Sequence, residues 1–302
     1  MMNQIPAQIT WWSHFGLREL PFGLTPDTQF FYPASTHADA HETLHHALLG
    51  GEGFSVVSGE VGTGKTLVLR RLLNSLPDTM RAAFIPNPGL DARGLYATIS
   101  LEFGLLASGT EETLLHQLER HFIALAQQGL RAVVLIDEAQ ALPAGTLEAV
   151  RLLTNLETEK RKLLQVVLFG QPELMQRLTR LDTRQMLTRV SFHMTLRPLQ
   201  RQELVAYLDH RIRMAGGTGA LPFSASALRY LYRVSRGLPR LVNIVAAKSM
   251  MLAYGQGARQ ISLGHVRVAA RDTLATRAAS QSLWQTLAAL ITTTNMRFRN
   301  GV

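Results

Sequence analysis

One octet constrains this chain more than any other stretch: Gly59-Glu60-Val61-Gly62-Thr63-Gly64-Lys65-Thr66. It fits the spacing GxxxxGK[ST]. The run before it, Phe54-Ser55-Val56-Val57-Ser58, has the apolar, β-branched character of a strand. The run after it, Leu67 to Leu73, has helical spacing. A strand, a glycine loop and a helix start thus follow in order. The glycines let the backbone wrap closely round an anion, so that several N–H groups point at one phosphate. The helix N-terminus adds positive potential. Gly59, Glu60, Val61, Gly62, Thr63, Gly64, Lys65 and Thr66 are therefore candidates to hold ATP. Lys65 is expected to reach the β- and γ-phosphates, and the Thr66 hydroxyl to ligate Mg²⁺.

A second motif lies downstream. Ala132-Val133-Val134-Leu135-Ile136 is wholly apolar and ends in Asp137-Glu138. Such a run predicts a strand covered on both faces, as in a parallel sheet. Ligands of parallel sheets bind beyond the carboxyl ends of the strands, which is where both acids would sit. Asp137 is expected to hold Mg²⁺ and Glu138 to orient and polarise an attacking water, which favours hydrolysis over nucleotide storage.

Between residues 54 and 196 strand and helix patterns alternate. Strands are predicted at 54–58, 82–86, 132–136, 164–170 and 190–196, and helices at 64–76, 90–103, 111–128, 143–156 and 172–179. This alternation predicts an α/β fold, a three-layer αβα sandwich on a parallel sheet. From Pro198 the strand signals stop. Helices are predicted at 200–215, 224–235, 239–254 and 262–273, punctuated by Gly216-Gly217, Gly237-Leu238-Pro239 and Gly255-Gln256-Gly257. These read as a small all-α domain. Residues 13–35 carry three prolines and the aromatics Phe15, Phe22, Phe30, Phe31 and Tyr32, and read as an extended segment docked on a core.

Composition excludes several classes. There is no cysteine, so no disulfide framework, thiol nucleophile or cysteine metal site exists. No apolar run reaches the roughly 18–20 residues of a membrane span, and Met1 to Thr10 lack a signal-peptide pattern. A soluble, cytoplasmic protein is expected. The segment Leu283–Ile291 reads as a helix packed on its own domain, with contact to the inner membrane or a partner as the variant. Charge is uneven: residues 1–174 hold 12 Lys and Arg against 18 Asp and Glu, whereas residues 175–302 hold 19 against 4. The balances are −6 and +15, so the later half calls for an acidic counterpart: nucleic acid, anionic lipid or the acidic half of a neighbouring copy.

His41-Glu42-Thr43-Leu44-His45 matches H-E-x-x-H, the helical zinc motif, and extends back to His37. The longer metzincin pattern would require Gly at 48 and His at 51, where the chain has Leu48 and Gly51. A zinc protease is therefore not expected.

Taken together, the chain resembles the AAA+ ATPases, and within them the ExeA/GspA and MshM group associated with type II secretion and MSHA-type pilus assembly. The resemblance spans about residues 14–272. It rests on Phe15-Gly16-Leu17, Pro21-Phe22 and Leu24-Thr25-Pro26-Asp27, on Gly51-Glu52-Gly53-Phe54, on both nucleotide motifs, on Phe169-Gly170-Gln171-Pro172-Glu173-Leu174 and on Gly237-Leu238-Pro239-Arg240-Leu241-Val242-Asn243. ExeA-type proteins continue into a membrane span and a peptidoglycan-binding region, which this sequence does not reach, so the shorter MshM type is the expected match. The resemblance implies a leader and helix at 1–49 docked on the core, an ATPase core at 50–197, a helical lid at 198–273 and a C-terminal helix or tail at 274–302.

It also implies further roles. Gln171 would contact the γ-phosphate or water as sensor 1, although other groups use Asn, Ser or Thr there. Arg240 resembles sensor 2, coupling nucleotide to lid. Asn87 would hold Glu138 inactive until a partner binds, and Asn87-Pro88 is equally ordinary turn chemistry. Arg189, with Arg184 as the runner-up, would be an arginine finger acting on a neighbouring subunit. The expected activity is ATP hydrolysis with Mg²⁺ by a homo-oligomer, expected as a ring, that drives assembly of an envelope pilus or secretion complex. The rival is a DNA-associated regulator like the transposition ATPases, favoured by the basic later half but without a helix-turn-helix or aromatic-basic platform.

Overall fold

The computed structural model describes residues 10–86, 89–158, 162–179 and 184–273. By its contacts the chain divides into two compact units. Thr25–Pro198 forms one, and the described residues on either side of it form the other.

The first unit is built on a sheet of five strands, β1 (Phe54–Gly59), β2 (Met80–Ile85), β3 (Arg131–Ile136), β4 (Leu164–Gly170) and β5 (Phe192–Leu196). Their order is β2-β3-β4-β1-β5, and every neighbouring pair is parallel. All of β1 and β4 is buried, while the edge strand β5 is mostly exposed. Successive strand side chains point to opposite faces, and here each face feeds a separate core. Phe54, Val56, Val134, Ile136, Val166 and Leu168 enter one; Val57, Val133, Leu135, Val167 and Phe169 enter the other. That is why the sequence shows unbroken apolar runs rather than alternation.

Helices cover both faces. On one lie α1 (Ser35–Gly50) and α2 (Lys65–Ser75), contributing Ala40, Leu44, Leu48, Val68, Leu69 and Leu72. On the other lie α3 (Ala92–Glu102), α4 (Glu111–Gln127) and α5 (Ala144–Thr154), contributing Leu95, Ile99, Leu118, Phe122, Val150 and Leu153. Local signals start these helices. The Asp91 carboxylate accepts from the Gly94 N–H at 2.7 Å, and the Thr110 hydroxyl from the Thr113 N–H at 3.2 Å. The short helices α6 (Pro172–Leu178) and α7 (Arg184–Leu187) lead from β4 to β5.

The second unit is helical, with α8 (Arg201–Met214), α9 (Ala225–Ser235), α10 (Pro239–Gly255) and helical residues 263–273. Gln200 and Glu203 close a capping box at the start of α8, and Pro239 opens α10 where a missing N–H costs nothing. The leader is divided between the units. Residues up to Leu24 pack on the helices: the Arg18 N–H donates to Ala215 O at 2.8 Å, and Arg211 Nε to Pro21 O at 2.6 Å. Phe22 lies edge-on to Phe223. From Thr25 the chain belongs to the sheet unit, where Phe31 is buried in the core and Arg70 donates to Pro26 O at 3.0 Å. A leader docked wholly on the core is thus not what the contacts give. The carbonyls of Pro21 and Gly23 accept from side chains of α8 and α10, Arg211 and Asn243.

Candidate nucleotide-binding site

The strand order places β4 between β1 and β3. All three run the same way, so their carboxyl ends carry the glycine loop, Gln171 and the Asp137-Glu138 pair side by side. The loop turns between β1 and α2. Gly64, at φ +103°, occupies a left-handed conformation that a side chain would strain, and an added Cβ would lie 3.2 Å from His37 Nε2. His37 is buried on the first turn of α1, and its Nε2–H donates to the Thr63 carbonyl at 2.6 Å. The Thr63 hydroxyl donates to Glu60 O at 2.8 Å, and Val61 stands exposed at the loop tip.

The Lys65 ammonium is buried over this loop, donating to Gly59 O at 2.8 Å and Glu60 O at 3.1 Å. Burial pushes its pKa below the ordinary lysine value; the negative charges of Glu138 and Asp137 oppose that shift. The Thr66 hydroxyl donates to Asp137 Oδ2 at 2.5 Å, and the Glu138 N–H donates to Asp137 Oδ1 at 2.9 Å. Asp137 is itself buried, and burial pushes its carboxyl up against the pull of these two hydrogen bonds. A buried carboxylate touching a hydroxyl is a hard oxygen donor set. Thr66 and Asp137 fit Mg²⁺ and would be the residues to hold it. When bound, Mg²⁺ would supply positive charge to offset that of a triphosphate.

Glu138 has a left-handed backbone, φ +50°. Its carboxylate accepts from Gln140 Nε2 at 2.7 Å and from Gln171 Nε2 at 3.4 Å. The Gln171 N–H in turn donates to Gln140 Oε1 at 2.9 Å. Lys65, Thr66, Asp137, Glu138 and Gln171 therefore converge at one end of the sheet, with the charge to grip a triphosphate and a carboxylate to receive a proton.

The remaining expected residues lie elsewhere. Arg189 is half-buried just before β5, whose first residue pairs with Ser55 near the start of β1. The Ser191 N–H donates to Phe54 O. Arg189 thus sits at the end of the sheet opposite its own phosphate loop. The Arg184 side chain, Asn87 and residues 283–291 fall outside the described residues. Arg240 is exposed at the start of α10 in the helical unit. Of the H-E-x-x-H histidines, His41 Nε2 meets Ser75 Oγ at 3.1 Å and His45 Nε2 meets Ser75 O at 3.2 Å. Their rings stack on one another. Sequence reasoning missed two residues. His37 was legible only as part of a zinc-like pattern, and Gln140 only as the amide two positions after the acidic pair.

Residues 47–178 match a family described as an AAA domain. Over 273 residues, 90% of this chain, the sequence is 42% identical to the general secretion pathway protein A of Aeromonas hydrophila. The chain spans about half the length of that relative, 49%. Among solved structures it is similar to a chain of the Drosophila ORC bound to DNA, at TM-score 0.67 and 19% identity, covering 91% of this chain and 69% of that one. It is also similar to Cdc6p of Pyrobaculum aerophilum, at TM-score 0.64 and 20% identity over 82% and 71%. The Aeropyrum pernix ORC2 protein, solved as ADPNP–ADP complexes, follows at TM-score 0.61 and 16% identity over 83% and 70%. With the glycine loop, the acidic pair and Gln171 at the carboxyl ends of β1, β3 and β4, the chain is a GspA-like member of the AAA+ P-loop NTPases.

Proposed function

We propose that this protein hydrolyses ATP with Mg²⁺ and uses the cycle to drive or regulate assembly of a cell-envelope complex of the type II secretion or MSHA-pilus kind. One observation carries the hydrolytic part: Thr66 and Asp137 touch at 2.5 Å, with Lys65 and Glu138 beside them. Lys65 would bind the β- and γ-phosphates, Thr66 and Asp137 the metal, and Glu138 would take the proton of the attacking water. Gln171 would sense the γ-phosphate, and Arg240 would couple it to the helical unit. Arg189 stands at the far end of its own sheet, which supports a finger acting in trans within a homo-oligomer, ring-shaped in this reading. The envelope role rests on the name of the Aeromonas relative, a general secretion pathway protein. Work at the cytoplasmic face of the inner membrane suits that role. Among the described residues no helix is long and apolar enough to cross a membrane.

The test is ATP turnover against protein concentration. Wild-type rate per subunit should rise with concentration as subunits meet. Lys65→Ala should abolish ATP-dependent thermal stabilisation. Glu138→Gln should retain ATP binding while its turnover falls by about 10²–10⁴-fold. ATP binding unchanged in Lys65→Ala would overturn the reading.

A second reading, a DNA-associated regulator, has its own support. In the helical unit the Tyr230 ring has Arg233 at 4.9 Å and Arg267 at 5.7 Å, with exposed Arg229 and Arg271 on the same two helices. Stacked arginines of this kind suit phosphate backbones. Salt-sensitive DNA binding that accelerates turnover would favour this reading over envelope assembly.

A further inference from the structure

Glu138 does not stand alone. Two amide side chains meet its carboxylate, and both donate to the same oxygen, Oε2. Among the described residues no hydrogen bond reaches Oε1. The nearer amide belongs to Gln140 and is bound at both ends. Its Nε2 donates to Glu138 at 2.7 Å, and its Oε1 accepts the Gln171 N–H at 2.9 Å. The bonds fix which end of the amide faces which partner. The backbone beneath it is fixed too, because the Arg177 guanidinium on α6 donates to both Gln140 O and Leu142 O.

We infer that Gln140 is a positioning residue for the hydrolytic step: it clamps Glu138 Oε2 to the end of β4 and leaves Oε1 as the oxygen that receives the water proton. The chemistry is a single balanced transfer. The water oxygen forms a bond to the γ-phosphorus, the bond from that phosphorus to the bridging oxygen breaks, and the water proton passes to Oε1. A carboxylate free to rotate about its last torsion would present either oxygen, or neither, to the water. A donor on one oxygen removes that freedom, and pre-set orientation of this kind is where a small misplacement costs much rate. The same amide ties Glu138 to the strand end that carries Gln171, so the proton acceptor and the γ-phosphate contact shift together.

This inference rests on the hydrolytic reading above, and the experiment separates the two. Four full-length variants are compared with the wild type by steady-state turnover and by equilibrium binding of a fluorescent ATP analogue with Mg²⁺. Gln140→Met keeps the shape and loses both bonds. Gln140→Glu keeps the acceptor for the Gln171 N–H and loses the donor. Glu138→Gln and the double variant Glu138→Gln/Gln140→Met complete the cycle. Gln140→Met should lower kcat by about 10- to 100-fold, with KM and analogue affinity little changed. Gln140→Glu should be at least as slow. Adding Gln140→Met to Glu138→Gln should produce no further loss, because Gln140 acts only through Glu138. An unchanged kcat in Gln140→Met, a parallel loss of analogue affinity, wild-type rate in Gln140→Glu, or a multiplicative loss in the double variant would each overturn the clamp. A wild type that binds ATP but never turns it over would instead sink the hydrolytic reading, and the clamp with it.

Discussion

Lys65 is an ammonium held in a place that suits it only in company. Burial lowers its pKa relative to an ordinary lysine, and Glu138 and Asp137 oppose that shift without reversing it. The consequence for stability has a definite sign. Between the lowered native value and the ordinary value near 10.5, the unfolded chain binds this proton more tightly, so this group's contribution rises with pH through that window. Below that window its cost is fully present, and at any pH under the ordinary value part of it remains. Lys65→Met should therefore raise the Tm of the nucleotide-free protein by about 1–3 °C, although the variant no longer grips phosphate. Differential scanning fluorimetry at pH 7.5 without ATP checks this, and a lowered Tm would count against it. Glu138 shows a related trade. Its left-handed backbone is one that non-glycine residues rarely adopt. It is held there by the Asp137 carboxylate on its own N–H and by two amides on its side chain.

Between elements, the decisive contacts are made by backbone rather than by large side chains. α1 supports the glycine loop through one imidazole on one carbonyl. The helical unit depends on a closer approach. The turn from α9 into α10 passes through Gly237 at φ +73°, and the Leu199 N–H donates to its carbonyl at 2.9 Å. A Cβ at that position would lie 2.0 Å from Leu199 O, a backbone atom that cannot swing aside. Gly237→Ala should cost about 3 kcal/mol or more, from the left-handed strain and the displaced backbone together. Chemical denaturation followed by circular dichroism measures it; a cost under about 0.5 kcal/mol, the range of a neutral surface change, would refute the close approach.

At the scale of the whole molecule, both apolar cores that cover the sheet lie within Thr25–Pro198. A fragment of residues 25–198 thus carries its own buried interior and is long enough to stabilise it. Expressed alone, it should fold to an α/β circular dichroism spectrum with a cooperative thermal transition. A fragment that stays unfolded would mean that the helical unit is needed to hold the sheet. Charge is divided unevenly between the units: Thr25–Pro198 holds 16 Lys and Arg against 18 Asp and Glu, whereas residues 199–302 hold 14 against 3.

How much of this was legible in the sequence differs by the physics involved. The strands announced themselves because a strand buried on both faces has no polar positions, and Ala132 to Ile136 could be little else. The phosphate loop was legible because its chemistry is local: glycine, lysine and threonine within eight residues, between a strand and a helix. Leader boundaries were not legible, since Pro21 and Pro26 look alike in the sequence and differ only in which unit donates to their carbonyls. Gln140 was not legible either. Its meaning depends on Gln171, 31 residues away, and only the placement of β4 beside β3 brings the two together. The sequence by itself determined the composition of the site, because phosphate and metal chemistry demand particular side chains at short range. Only the tertiary structure decided how Glu138 is aimed and that Arg189 stands at the end of the sheet opposite its own loop, because both follow from strand order and register, which no local pattern encodes.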